Sequence, residues 1–301
     1  MDASRVLVVI ADDFGIGPET SRGILELAAE GVVTGTVLMV NSPFAAEAVR
    51  AWRASGVPLE VGWHPVLTQD PPVALPDRVP SLLGPDGCLW PLGRFLSRLY
   101  LYRVNPAEIE IELRAQLRRF EELVGSPPTL VNSHQHVALF PPVGAILLKV
   151  LGDVRPLPFV RRVCEPWQMM VRIPGARVKR SVLNWQGRRL ARKQAKIGFP
   201  GADWLAGITD PVNVTDADFL RRWLTRVPGR VIELACHPGY HDVTLIGRDC
   251  AGDDEFLQRR VDELHLLRLP SFADACRQAG FSLRHPAALC AGVKRGTNHA
   301  A

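Results

Sequence analysis

Several features that would point away from an ordinary globular enzyme are missing from this sequence. No apolar run approaches the length of a membrane span, and residues 1–5 lead directly into the first apolar stretch without a signal peptide. No internal repeat or low-complexity linker is visible. The six cysteines include no Cys-x-x-Cys pair, which argues against a zinc finger or a disulfide framework and predicts reduced thiols in a cytoplasmic protein.

The composition is that of a soluble globular protein. The 301 residues are 47% hydrophobic and 22% charged, enough for one large α/β domain or two ordinary ones. The formal net charge is +5, from 36 basic and 31 acidic residues. This mildly basic balance permits an anionic partner without requiring one. Because no nucleic-acid recognition module is visible, we expect no nucleic-acid partner.

Strand-like and helix-like segments alternate along the chain. Apolar, β-branched stretches predict strands at 6–10, 32–40, 59–63, 129–132, 159–161 and 230–235. This alternation predicts the α/β class and a single-domain (β/α) barrel, whose regularity the sequence leaves open. We place the domain at 1–285 and a peripheral tail at 286–301. A Pro- and Gly-rich excursion at 65–103 is typical of a lid or a substrate-binding insertion.

Potential ligands follow four of the predicted strands. They are Asp12 and Asp13, His64, His134 and His136, and His237. A lone histidine is usually structural, and an acid pair after a strand can be a helix N-cap followed by a turn residue. Because parallel strands direct their C-terminal ends to one edge of the sheet, these side chains can also converge on one site.

The residue types in this set suit a hydrolytic metal centre. Two imidazoles and one carboxylate leave positions on a zinc-like ion for water and a substrate carbonyl, and a second carboxylate can take a proton. We therefore expect one divalent ion. Histidine ligands favour zinc, and carboxylate ligands leave magnesium, manganese, nickel or cobalt open.

A basic segment at 172–196 contains nine Lys and Arg residues and no acid. Its ordinary interpretation is a solvated helix face. Because Val182, Leu183, Trp185 and Leu190 are interleaved with the charges, transient contact with an anionic membrane surface is a second interpretation. RNA binding is a weaker third.

Four motifs together resemble one known family. They are ADDFG at 11–15, VGWH at 61–64, NSHQH at 132–136 and CHPGY at 236–240. In this order and spacing they are similar to the landmarks of the YdjC-like carbohydrate deacetylases, which include chitooligosaccharide deacetylases and the hopanoid-biosynthesis deacetylases called HpnK. The resemblance covers about residues 5–280. It implies a (β/α) barrel and metal-dependent removal of an N-acetyl group from an acetylated amino sugar.

The resemblance also implies roles for individual residues. Asp13, His64 and His134 would bind the metal, Asp12 would be the general base, and His237 would be the general acid or would steady the oxyanion. The substrate-binding set would be His136, Arg161, Asn41 and Asp203. Arg161 would either pair with a carboxylate or contact substrate.

Two other functions compete with this hypothesis. A glycoside hydrolase using Asp12 and Asp13 would need its carboxyl groups about 5–9 Å apart across a sugar, for which adjacent residues are poorly placed. A catalytically silent carbohydrate- or lipid-binding module would explain why Gln135, Ala138 and Trp204 stand where the family commonly has histidine. Within the deacetylase hypothesis, the substrate can be a chitooligosaccharide, a lipid-linked sugar or a secondary-metabolite glycoside. The oligomeric state cannot be predicted.

Overall fold

The computed structural model describes residues 5–248, 250 and 255–290. Eight strands are present in this part of the chain: β1 Arg5–Phe14, β2 Gly35–Leu38, β3 Glu60–Trp63, β4 Leu130–Val131, β5 Phe159–Val160, β6 Trp204–Ala206, β7 Val231–Cys236 and β8 Phe281–Leu283. The α-helices are α1 Pro18–Ala29, α2 Ala45–Ser55, α3 Leu92–Tyr100, α4 Pro106–Val124, α5 Val143–Leu151, α6 Trp167–Arg172, α7 Arg177–Ile197, α8 Phe219–Leu224, α9 Glu255–Arg268, α10 Pro270–Gln278 and α11 Ala287–Cys290.

The strands form one parallel sheet in the order β5-β4-β3-β2-β1-β7-β6, with β8 paired to the first residues of β1. Backbone hydrogen bonds link each end strand to a segment next to the other. Leu205 in β6 donates to the carbonyl of Cys164, which follows β5, at 2.8 Å, and Val160 in β5 donates to the carbonyl of Pro200, which precedes β6, at 2.8 Å. Helices cover the outside of this curled sheet. The predicted α/β barrel class is confirmed, in an irregular form.

The central strand β1 is longer than the sequence predicts. It continues through the acid pair to Phe14, and the register of its pairing with β2 shifts between Ala11 and Phe14. Asp13 lies in this irregular part with φ 64°, a left-handed conformation that L residues seldom adopt. The pattern-based end at residue 10 is therefore wrong, because the carboxylates remain within the strand.

Several short elements were not predicted. β6 and β8 have three residues each, too few to display an alternating pattern. The excursion at 65–103 contains α3, whose Phe95 is fully buried. Within the predicted tail, α11 packs Leu289 beside the core cluster of β1 and β4, and residues 291–301 lie outside the described part of the chain. Among the described helices, none combines the length and the apolar character needed to cross a bilayer.

Gly187 lets α7 approach the segment that follows β5. A Cβ at this position would lie 1.8 Å from the carbonyl oxygen of Val163, so backbone must move to accept one. We expect Gly187→Ala to lower the free energy of unfolding by about 3 kcal/mol in urea denaturation. Gly93→Ala is the matched control, because a Cβ at this α3 position meets nothing within 4 Å. Equal stability of the two variants would contradict this close approach.

Candidate metal centre and active site

The candidate residues lie at the C-terminal ends of four strands of the sheet. Asp13 lies near the end of β1, and His64 and His237 directly follow β3 and β7. His134 follows β4 after two residues and begins a short 3-10 helix, His134–Leu139. Because these strands are parallel and lie close together in the sheet, their C-terminal ends meet.

Asp13, His64 and His134 form a buried cluster whose potential ligand atoms all lie within 4.8 Å of one another. Asp13 Oδ1 lies 3.2 Å from His64 Nε2 and 3.1 Å from His134 Nδ1. Two ligands of a tetrahedral zinc ion at ordinary bond lengths are about 3.3 Å apart. The two imidazole rings lie edge to face, with centroids 5.4 Å apart, so both can direct a nitrogen towards one point.

Asn132 determines which nitrogen of His64 carries the proton. Its side-chain amide donates to Asp12 Oδ1 at 2.9 Å, which leaves Asn132 Oδ1 to accept a hydrogen bond from His64 Nδ1. A neutral His64 then directs the lone pair of Nε2 at the Asp13 carboxylate oxygen. Two electron-rich atoms at 3.2 Å require a cation or a proton near them. The donor set therefore fits a divalent metal ion.

The charges around the cluster also favour a cation. Four buried carboxylates face three guanidinium groups in hydrogen-bonded pairs: Asp12 and Glu233 with Arg161, Asp13 with Arg260, and Glu263 with Arg259. With all these groups ionised and the imidazoles neutral, one negative charge is in excess, which either a cation or a proton on Glu233 can balance, since burial raises the pKa of Glu233. A buried excess charge is costly unless a counter-ion balances it.

Asp12 is held by a bidentate ion pair. Arg161 donates from Nη1 to Asp12 Oδ2 at 2.5 Å and from Nη2 to Oδ1 at 2.9 Å, and its Nε donates to Glu233 Oε1 at 2.5 Å. Burial alone would raise the pKa of Asp12, but Arg161 outweighs it and lowers this pKa to about 2. Burial raises the pKa of Glu233. Arg161 thus takes the carboxylate-pairing alternative, and direct contact between Arg161 and substrate stays a prediction.

Asp13 is ionised for a similar reason. Burial would raise its pKa, but the Arg260 guanidinium and the hydrogen bonds with His134 and His64 hold the pKa well below its usual range. Arg260 Nη2 donates to Asp13 Oδ2 at 2.8 Å. This leaves Oδ1, the atom nearest both imidazoles, available as a metal ligand.

His237 lies near Asp12. With 35% of its side chain exposed, it is more accessible to solvent than Asp12 or the three residues of the cluster. Its Nε2 is 3.8 Å from Asp12 Oδ2, and its Nδ1 is 3.9 Å from Glu263 Oε2. Removal from bulk water lowers the pKa of His237, and the charges of Glu263, Asp13 and Asp12 oppose that shift. An exchangeable proton on this imidazole can therefore reach a molecule bound at the rim.

The His134 loop is strained and is tied to the His64 loop. Gln135 and His136 have φ of 50° and 55°. Gln135 accepts a hydrogen bond from Thr68 Oγ1 at 3.0 Å and donates one to Gln69 Oε1 at 2.6 Å. Because such conformations cost about 1–3 kcal/mol each, the surrounding contacts must hold them.

The predicted substrate-binding residues occupy different places. His136 lines a cavity of about 20 Å³ beside Arg161, and burial, the Arg161 charge and the Lys179 charge lower its pKa to about 3. Asn41 donates to the carbonyl of Pro71 and to Glu112, so it joins the excursion to α4.

Asp203 lies at the opposite end of the strands from the metal cluster, where β7 begins. Its Oδ2 accepts hydrogen bonds from the backbone of Arg230 and Val231, at 2.8 and 3.0 Å. Val231 begins β7, whereas His237 follows the end of the same strand. The sequence-based grouping of Asp203 with the site residues is therefore corrected, because the length of β7 separates them.

Several residues at the site were missed in the sequence. They are Asn132, Glu233, Arg259, Arg260 and Glu263. A signal for Glu233 was present, since it is the one charged residue in the apolar strand VIELAC and is fully buried. The residues on α9 gave no comparable signal, because charged side chains are ordinary on a surface helix.

Comparisons with known proteins show the family of this chain. The profile of the family described as YdjC-like protein matches residues 6–278. A carbohydrate deacetylase from Mus musculus is 33% identical over 294 residues, covering 92% of each chain. A chitooligosaccharide deacetylase from Serratia marcescens is 29% identical, covering 93% of this chain and 97% of its own. A crystal structure from Enterococcus faecalis V583, described as that of a cellobiose-phosphate cleavage protein, shares the fold at TM-score 0.75 and 24% identity, covering 95% of this chain and 99% of its own.

Proposed function

Because the chain belongs to the YdjC-like family, we propose that it is a metal-dependent hydrolase that removes the N-acetyl group from an acetylated amino sugar. The names of the relatives support a carbohydrate deacetylase. The observation that carries the metal dependence is the contact of Asp13 Oδ1 with His64 Nε2 at 3.2 Å, with the second nitrogen of His64 already committed to Asn132.

Asp13, His64 and His134 would hold the ion. A divalent ion in this position supplies a Lewis acid that polarises the amide carbonyl and makes water more acidic. Histidine ligands favour zinc, and the carboxylate is compatible with magnesium or another divalent ion.

Two residues beside the cluster of Asp13, His64 and His134 would transfer protons, one as acceptor and one as donor. Asp12, ionised and oriented by Arg161 and Asn132, accepts the proton of the attacking water as the water oxygen bonds to the acetyl carbon. His237 donates a proton to the amine nitrogen as the C–N bond breaks, which releases acetate and the free amino sugar. Glu263 would steady the positive charge of His237 before that donation.

The substrate class is open to a direct screen. N-acetyl chitooligosaccharides, lipid-linked N-acetylglucosamine and N-acetylglucosaminyl glycosides each place the same acetamide on a sugar. Hydrolysis of that amide lowers the substrate mass by about 42 Da, which mass spectrometry detects. We expect loss of this mass, and release of acetate, from at least one of these classes.

The metal dependence is tested by exhaustive chelation followed by readdition of single metals. We expect acetate release to stop and to return with zinc or another divalent ion. Full activity after chelation would contradict the mechanism. Tight sugar binding without a metal in the purified protein, and without acetate release, would favour a silent binding module.

His237→Gln is expected to lower kcat by about 10²–10⁴, because the leaving nitrogen would lose its proton donor. Metal content should be unchanged, since His237 is not a member of the triad. Steady-state kinetics and elemental analysis of the same preparation check both statements. His265→Gln on the exposed side of α9 is the control and should keep full activity. A normal kcat in His237→Gln would remove His237 from the chemistry.

A further inference from the structure

The outer surface of α6 and α7 carries an unusual set of exposed apolar side chains, which we call the α6–α7 face. They are Trp167, Val171, Val178, Val182 and Trp185, with 69%, 64%, 81%, 48% and 58% of their surface exposed. Isolated exposed apolar residues are common, but five of them on two adjacent helices, including two tryptophans, mark an interaction surface.

The apolar residues of α7 lie along a single stripe. Val178, Val182 and Trp185 are separated by four and three residues, the spacing that places side chains on one face of a helix. The same stripe continues with the exposed basic residues Arg189, Arg192, Lys193 and Lys196. The outward face of α7 is thus apolar in its first half and basic in its second.

Most basic residues of the segment 172–196 are exposed. Of the nine basic residues at 172–196, only Arg180 is buried, where it pairs with Glu165. Across the described part of the chain, no ion pair engages the other eight. The guanidinium group of Arg189 stacks 4.7 Å from the centre of the Trp185 ring, which keeps a positive charge beside an exposed indole.

The inner side of α7 is firmly packed, so the exposed stripe is a fixed surface. Arg180 also donates to the backbone carbonyls of Ile173 at 2.7 Å and Met169 at 3.0 Å, which ties α7 to α6. At the other end, Gln194 donates to the carbonyl of Arg161 at 3.1 Å.

We propose that the α6–α7 face binds the surface of an anionic phospholipid membrane. Tryptophan and valine side chains enter the boundary between headgroups and acyl chains, and the arginines and lysines contact the lipid phosphates. The valines favour lipid over nucleic acid, because they can neither stack on bases nor contact phosphate. The absence of acidic residues at 172–196 favours an anionic surface over a neutral one.

The inner side of α7 packs near the candidate site. Leu183 on the inner side of α7 packs in one cluster with Leu139, which lies three residues after His136. The proposal does not depend on the activity, because the binding can be measured without any sugar.

The test is flotation of the full chain with vesicles of phosphatidylcholine alone and of phosphatidylcholine mixed with phosphatidylglycerol. We expect binding to the anionic vesicles, weakened by added salt, and little binding to the neutral ones. The triple variant Arg189→Gln, Arg192→Gln, Lys193→Gln should weaken anionic binding on the order of 100-fold. Trp167→Ser with Trp185→Ser should weaken it at least about tenfold.

Matched substitutions elsewhere separate this face from general charge. The variant Arg50→Gln, Arg118→Gln, Arg226→Gln removes the same charge from exposed positions outside the face and should bind like the parent chain. Tyr102→Ser removes an exposed aromatic ring from another surface and should also bind normally. The proposal is overturned by equal losses in the two charge variants, by equal binding to both vesicle types, or by a preference for single-stranded RNA over anionic vesicles.

Discussion

Asp13→Asn is expected to lose both the bound metal and the deacetylase activity. Asp13 supplies the carboxylate oxygen that lies 3.2 and 3.1 Å from the two imidazoles, and an amide oxygen in its place carries no charge. Loss of the Lewis acid removes several kcal/mol of transition-state stabilisation, so we expect kcat/KM to fall by at least about 10⁴. Elemental analysis of the purified variant and acetate release measured side by side give both results.

Asp153→Asn provides the matched control for this variant. The Asp153 side chain is 76% exposed, and its contact with Arg114 is 3.4 Å long, so the same chemical change should leave metal content and activity intact. A urea denaturation curve shows whether Asp13→Asn is folded. A folded Asp13→Asn chain that retains stoichiometric metal and normal kcat/KM would exclude Asp13 as a ligand.

Sequence patterns were sufficient to predict the elements whose local sequence has a clear hydrophobic pattern. Strands of β-branched residues and the groups directly after them could be recognised, and parallel pairing then brought Asp13, His64 and His134 together. β6 and β8 could not be recognised, because a three-residue strand is defined by its neighbours in the sheet. The end of β1 was placed too early, because hydrophobicity stops at the acid pair while the backbone pairing continues.

The charged partners of the site depend on contacts between distant segments. Arg161 reaches Asp12 across 149 residues and Glu233 across 72, and no local periodicity encodes such a pairing. Glu233 could have been noticed as a charge inside an apolar strand. Asp203 was grouped with the site because the family resemblance implied it, whereas its hydrogen bond with the first residue of β7 places it at the opposite end of that strand from His237.

Arg161→Met is expected to destabilise the protein by about 3–5 kcal/mol, the cost of leaving a buried charge without its partner. Both Asp12 and Glu233 lose their guanidinium contact, and both are buried. The second substitution Glu233→Gln should recover part of this stability, because it removes one of the two stranded charges. Activity should stay low in the double variant, since Asp12 is still without the group that orients it. Urea denaturation and acetate release measure the two effects, with exposed Arg94→Met as the control.

The pH dependence of this loss shows whether buried carboxylate charge causes it. Its pKa is about 2 in the folded chain and about 3.9 when unfolded, so the ion pair contributes its full stability above the unfolded value. That contribution is lost as the pH falls from about 4 towards 2, because Asp12 becomes protonated. The stability difference between the parent chain and Arg161→Met should therefore shrink as the pH falls. The carboxylates left without a guanidinium in the variant take up protons above about pH 4, because burial alone raises their pKa, and Asp12 of the parent chain becomes protonated between about pH 4 and 2. A difference that stays constant down to about pH 2 would mean that Arg161 stabilises the fold by packing rather than by its charge.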